Sequence, residues 1–135
     1  MANTKLKEFR QLVLEKFDYK CAYCGIYLDG AFHLDHYIPK RRYTDTHKEL
    51  VRMGIIEHKE KGKDNFENYM PSCISCNSSK SDLSIEEFRD RIYNRLVRLN
   101  NNSSEYIIAK RFGLVIEVQN EIIFHFENYT NNIKI

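Results

Sequence analysis

The 135-residue sequence has no stretch approaching the roughly 18 consecutive apolar residues that a membrane-spanning helix needs. Its first residues, Met1-Ala2-Asn3-Thr4-Lys5-Leu6-Lys7-Glu8, are too charged for a secretory signal. Both absences argue against a membrane and lead us to expect a cytoplasmic chain. There is no internal repeat and no low-complexity tract. Strong net charge is also lacking. Against 19 acids stand 21 Lys and Arg, a balance of +2, so total charge alone does not point to a polyanion. Cysteine is scarce, at four residues. In a reducing compartment, these four suggest metal ligands rather than disulfides.

What is present fits one compact domain over residues 1–135. A chain of this size can bury a core, but its surface-to-volume ratio is poor, so a structural metal would help it. Leu6, Phe9, Leu12, Val13 and Phe17 recur at helical spacing, which predicts an amphipathic helix over residues 4–18. Residues 26–28 and 31–37 read as two short strands around Asp29-Gly30. Pro39 ends the second, because it cannot donate a ladder hydrogen bond. Residues 40–63 read as a charged loop with a helical turn or two. Asn77-Ser78-Ser79-Lys80 should lie on a short helix. Ser84 and Glu87 form a capping box, opening a helix that buries Ile85, Phe88, Ile92, Leu96 and Leu99. Arg91, Arg95 and Arg98 share another face of it. Ser103 or Ser104 should cap one more helix, which Gly113 ends. Residues 114–126 read as two strands joined at Gln119-Asn120, a C-terminal hairpin that could complete the core or form a dimer edge.

The charge is unevenly spread. From His36 to Lys63 there are eight Lys and Arg against four acids, a local +4, which leaves −2 for the rest of the chain. A local positive field is what a polyanion-binding face needs, although a solvated mixed-charge surface reads the same way.

The cysteines form two pairs, Cys21-x-x-Cys24 and Cys73-x-x-Cys76, with 48 residues between the pairs. Two intervening residues let one turn present both sulfurs to one ion. Two such turns close a tetrahedral four-sulfur zinc site with no open position. The gap exceeds that of a simple zinc ribbon, so a functional unit is inserted between the halves of the staple.

That insert and its edges hold Asp35-His36-Tyr37-Ile38-Pro39-Lys40 and Glu67-Asn68, followed by Cys73-Ile74-Ser75-Cys76-Asn77-Ser78-Ser79-Lys80. Together with Cys21-Ala22-Tyr23-Cys24-Gly25 they give the order CxYCG, DHxxPK, ENxxxxCxxCNxxK. This order resembles the HNH nucleases, also called ββα-metal or His-Me finger nucleases, over roughly residues 21–80. The resemblance implies an α+β fold. Its ββα-metal core over residues 21–82 would be stapled by the four-cysteine zinc site. An N-terminal helix and a helical and hairpin extension over 84–128 would flank it.

The resemblance also implies residue roles. His36 would be the general base, and a neutral imidazole suits that task near pH 7. Asp35, on the opposite face of the strand, and Asn77 would hold one catalytic divalent ion. Their oxygen donors suit Mg²⁺ or Mn²⁺. Asn68 would fix the loop carrying His36. Lys80 would contact phosphate, and Lys40, Arg41 and Arg42 would be further nucleic-acid contacts. His33 shares a strand face with Asp35 and is expected to be non-catalytic. His47 and His58 read as solvated, and His125 as structural.

The implied activity is hydrolysis of phosphodiester bonds in DNA, with nicking by a monomer or double-strand cleavage by a homodimer. One competing reading is a zinc-bound nucleic-acid-binding module without catalysis. Another is a domain that needs a partner protein to choose its target. RNA is a less favoured substrate.

Overall fold

The computed structural model describes residues 2–41 and 43–130, with side chains described over 6–41 and 43–128. It divides into two compact units, Met1–Ile85 with Phe124–Ile135, and Glu86–Ile123.

The first unit opens with helix α1 (Ala2–Lys16). Of its predicted apolar face, Val13 and Phe17 are buried, whereas Leu6 and Leu12 are about half exposed. The Phe9 ring lies 6.2 Å from that of Tyr69, and Arg10 donates to the Phe32 carbonyl at 3.1 Å. The helix stops before Asp18 and Tyr19, both in left-handed backbone.

The only sheet among the described residues has two strands, β1 (His33–His36) and β2 (Tyr69–Ser72), paired antiparallel with His36 opposite Tyr69 and Asp35 opposite Met70. This corrects the expected pairing of 26–28 with 31–37. Gly30 does turn the chain, with φ +96°. However, residues 26–28 have already committed their backbone to the cysteine turn. Cys21 N donates to Ile26 O at 2.8 Å, Leu28 N donates to Tyr19 O at 2.7 Å, and Tyr27 bridges back to Lys20. The strand at His33–His36 therefore finds its partner beyond the insert.

Within the insert, α2 (Asp45–Arg52) is capped by Thr44, whose side chain accepts from His47 N. A 3-10 turn (Phe66–Asn68), capped by Asn65, leads into β2. Helix α3 (Ile74–Lys80) follows β2 directly, with Cys73 as its N-cap. The order is thus strand, insert, strand, helix.

In the second unit, the predicted single helix is interrupted at Asn94, giving α4 (Ile85–Tyr93) and α5 (Arg95–Asn102). The Asn94 side chain donates to Asp90 O at 2.8 Å, a local bond that competes with the helical ladder. Ser103 caps α6 (Ser104–Arg111), and Gly113 follows it at φ +73°.

The expected C-terminal hairpin is absent. Residues 115–124 hold no regular structure, and α7 (His125–Thr130) follows. The segment is held by other contacts, through both backbone groups and a side chain. Ile122 O accepts from the Arg89 guanidinium. The Glu117 carboxylate is bound by Asn100, Tyr106 and Lys110. His125 N and Phe126 N donate to Tyr23 O and Ala22 O. Phe124 and Phe126 are buried against the Tyr23 ring, at 5.7 and 6.2 Å. No helix of the described residues is long and apolar enough to cross a membrane.

Candidate functional site

The four cysteines come together. Their sulfurs all lie within 4.8 Å of one another, and the Cys24 and Cys73 sulfurs are 3.9 Å apart. Tetrahedral zinc with Zn–S bonds of about 2.3 Å would set its sulfurs ~3.8 Å apart. Cys21 and Cys24 are presented by a turn in which Gly25 N donates to Cys21 O, with Gly25 at φ +76°. Backbone amides support the sulfurs, since Cys73 N donates to Cys21 Sγ at 3.4 Å and Cys76 N to Cys73 Sγ at 3.3 Å. The thiols share protons unevenly. The hydrogen bond with Cys76 pulls Cys21 down to about 4 and pushes Cys76 up. Partial desolvation pushes Cys24 up to about 11. A cation replacing those protons is what this donor set fits.

The cysteine turn is bound to the sheet by Ala22 N donating to Pro71 O at 2.8 Å. Beside it lies a buried polar cluster built on Asp35, which is 7% exposed. The Tyr23 hydroxyl and the Lys80 ammonium, 3.1 Å away, both meet Asp35 Oδ2. Lys80 Nζ also donates to the His36 carbonyl at 2.9 Å. Burial, and then the Asp35 charge, raise the Tyr23 hydroxyl well above its ordinary value, so it stays a donor. This corrects the place expected for Lys80. Its side chain is 0% exposed, and its charge faces Asp35 rather than a phosphate at the surface. A buried carboxylate needs a cation or donors close by, and α3 delivers one.

His36 projects from the other face of β1 with its side chain 25% exposed. Its Nε2 lies 2.7 Å from Asp64 Oδ1, and Lys40 Nζ lies 2.5 Å from Asp64 Oδ2. The Tyr69 hydroxyl donates to Asp64 Oδ1 at 3.3 Å, and the Tyr69 and His36 rings are 5.3 Å apart. The bonds from Lys40 and then His36 lower the Asp64 carboxyl to about 2. It is therefore ionised at neutral pH and can only accept hydrogen bonds.

Asn68 is 8% exposed and holds the chain just after His36. Its Oδ1 accepts from Ile38 N, and its Nδ2 donates to the carbonyls of Ile38 and Lys63. Its own carbonyl accepts from Tyr37 N. Gly62 N closes the insert by donating to Pro39 O at 2.9 Å.

Asn77 lies on α3, the helix that reaches β1 through Lys80, and is half-buried. Arg41 is half-buried, with its Nε unpartnered, and Arg42 lies outside the described residues. His33 is exposed, opposite Ser72. His47 is half-buried and stacks on Tyr43 at 4.3 Å, where a solvated side chain was expected. The exposed His58 lies 5.7 Å from the same ring. His125 packs beside Gly25.

Sequence reasoning missed Asp64 and Tyr23. Asp64 follows the charged run that ends at Lys63 and precedes the Asn65 cap. Its place four residues before Asn68 carries no motif signal in this sequence. Tyr23 reads only as a spacer between cysteines.

The fold and site define a small α+β unit in which a four-sulfur cluster anchors a strand bearing an acid and a histidine. Residues 55–83, which include β2 and α3, match the family model described as HNH endonuclease. The chain is also 41% identical over 75 residues to the "SPbeta prophage-derived putative HNH endonuclease YoqL" of Bacillus subtilis (strain 168), a match covering 53% of this chain and 27% of that protein. It thus spans about a quarter of that relative's length. No solved structure matches. The resemblance to the HNH endonuclease family therefore holds in sequence comparison as well as in the four-cysteine cluster.

Proposed function

We propose that this chain is a metal-dependent endonuclease that hydrolyses phosphodiester bonds in DNA, with β1, β2 and α3 as its ββα-metal core. The observation that carries the reading is the placement of His36. It stands partly exposed on a strand paired with the HNH-matching segment, one residue from a buried acid.

In this reading His36 takes the proton from the attacking water. Asp35 and Asn77 hold Mg²⁺ or Mn²⁺. Both contacts to Asp35 fall on Oδ2, so Oδ1 remains for a cation, and an amide oxygen from Asn77 is a second hard donor. When bound, the ion supplies positive charge to the phosphate and the departing 3′ oxygen. Lys80 and Tyr23 hold Asp35 from behind. Asn68 fixes the segment that follows His36. Zinc on Cys21, Cys24, Cys73 and Cys76 is structural, because four sulfurs leave no open position. Lys40, Arg41 and Arg42 approach the DNA backbone, and the exposed Lys48, Lys59, Lys61 and Lys63 add to the positive field.

The test is supercoiled plasmid with Mg²⁺ or Mn²⁺, the wild-type chain, His36→Ala and an EDTA control. Cleavage that needs both the metal and His36 supports the reading, and the nicked-to-linear ratio separates single-strand from double-strand cleavage. Equal behaviour of wild type and His36→Ala overturns the active-site assignment. Plasmid that is retarded on a gel but stays intact favours the non-catalytic binding module.

A further inference from the structure

His36 is set on its strand by backbone geometry, but a strand does not choose which ring nitrogen faces the reacting water. An imidazole can serve as a base only through the nitrogen that carries no proton. Something must therefore select the tautomer and stop the ring from turning about its last torsion, which is broad and roughly two-fold.

The insert brings one group to that ring from 28 residues away. Asp64 Oδ1 stands 2.7 Å from His36 Nε2. Three partners hold the carboxylate itself, namely His36, Lys40 Nζ on its other oxygen, and the Tyr69 hydroxyl. Tyr69 sits directly opposite His36 in the strand register, so its hydroxyl and ring brace the acid and the imidazole together. The loop is set as well. Asn65 caps the 3-10 turn from one side, and Asn68 holds Lys63 O from the other. Asp64 thus lies between two pinned neighbours. These contacts hold an acceptor-only oxygen against one chosen nitrogen.

We propose that Asp64 is a positioning residue for His36, holding the ring with Nε2–H directed at its carboxylate so that Nδ1 is the nitrogen that accepts the proton of water. This rests on the endonuclease reading, and it adds a residue that neither the motif nor the family resemblance supplied. Half of the Asp64 side chain is exposed (51%). Water therefore competes for both partners, and the effect is smaller than for a buried orienting carboxylate. Lys40 clamps Asp64, so it acts on the ring at second hand as well as facing the DNA.

The test uses the zinc-loaded full chain and two readouts. The first is ring ¹⁵N NMR of His36 at a pH where the imidazole is neutral. Wild type should show a single Nε2–H tautomer, and Asp64→Ala a mixture of the two. The second is cleavage kinetics. Asp64→Ala and Asp64→Asn should lower kcat by about 10- to 100-fold, no more than the lower end of the roughly 10²–10⁴-fold that general-base catalysis contributes as a whole. KM for DNA should change little, and Asp64→Glu should recover part of the loss. Far-ultraviolet circular dichroism and zinc content confirm that each variant is folded, and Asp64→Asn keeps the shape if Asp64→Ala does not. Unchanged ring signals in Asp64→Ala would overturn the proposal, as would an unchanged or raised kcat. If wild type does not cleave DNA at all, the endonuclease reading fails, and the ring spectra still decide the pairing by themselves.

Discussion

The side chain of Asn68 pairs with both backbone groups of Ile38, its N–H and its carbonyl. Its Oδ1 accepts from Ile38 N at 2.8 Å, and its Nδ2 donates to Ile38 O at 3.0 Å. One amide thereby stands in for a strand partner at the point where β1 has ended. It fixes the chain two residues beyond His36.

Asn68→Ala should leave the Ile38 and Lys63 backbone groups without their partner. Each unsatisfied buried group costs about 1–3 kcal/mol. We expect a total loss near 3 kcal/mol in urea unfolding, because water reaches part of the site. Asn68→Asp should be no better, since a carboxylate cannot donate to the two carbonyls. A stability within 0.5 kcal/mol of wild type, the scale of a neutral surface change, would refute this pairing.

Gly62 tests the same region sterically. A Cβ there would lie 1.7 Å from Ile38 O and 3.0 Å from Asn68 Nδ2. Backbone must move to admit it, so Gly62→Ala should cost about 3 kcal/mol or more, at the upper end for an overpacked site. The check is thermal unfolding together with the backbone amide shifts of Ile38 and Asn68. Unperturbed shifts would show that the insert closes differently.

Lys80 and Asp35 form a buried pair, with side chains 0% and 9% exposed. Removing one partner of such a pair typically costs about 3–5 kcal/mol, because the other charge is stranded. Lys80→Met should show a loss of that size, and the double variant Lys80→Met/Asp35→Asn should regain a large part of it. Additive losses in this cycle would mean that the two charges are not coupled. A surface role for Lys80 in phosphate binding predicts instead unchanged stability and weaker DNA binding.

Zinc should bind at one ion per chain and be lost on replacing any of Cys21, Cys24, Cys73 or Cys76. Thiols bind as thiolates, so protons compete with the metal. Affinity should therefore be high at and above neutral pH and fall as the solution is made acid. A zinc-responsive dye measures release, and circular dichroism follows the accompanying loss of structure. A Cys76→Ser variant retaining one tightly held zinc would contradict four-sulfur ligation.

Residues near one another in the chain were the most legible. The helix at the N-terminus, the short helix bearing Asn77 and the Ser103 cap follow from periodicity and capping, which are local properties. The cysteine spacing likewise announces a common metal, and the sulfurs do meet. Strand partners were not legible. Residues 26–28 and 31–37 alternate well enough to pair, yet the cysteine turn consumes the first set. The apolar run at 114–126 reads as a hairpin, yet its last residues are drawn onto Tyr23. In both cases competition for the same backbone groups decided the outcome, and no local pattern records that competition.

The sequence by itself determined which groups are available: four thiols in two turns, an acid and a histidine side by side, and an asparagine on a short helix. Tertiary structure alone decided what each one faces. The antiparallel pairing of β1 with β2 and the docking of α3 turn Asp35 inward to Lys80 and Tyr23. Closure of the insert turns His36 outward to Asp64. The physical reason is that a strand sends adjacent side chains to opposite faces. The groups that cover those faces lie farther off in the chain, 12 residues away for Tyr23 on Asp35, 28 for Asp64 on His36 and 44 for Lys80 on the His36 carbonyl.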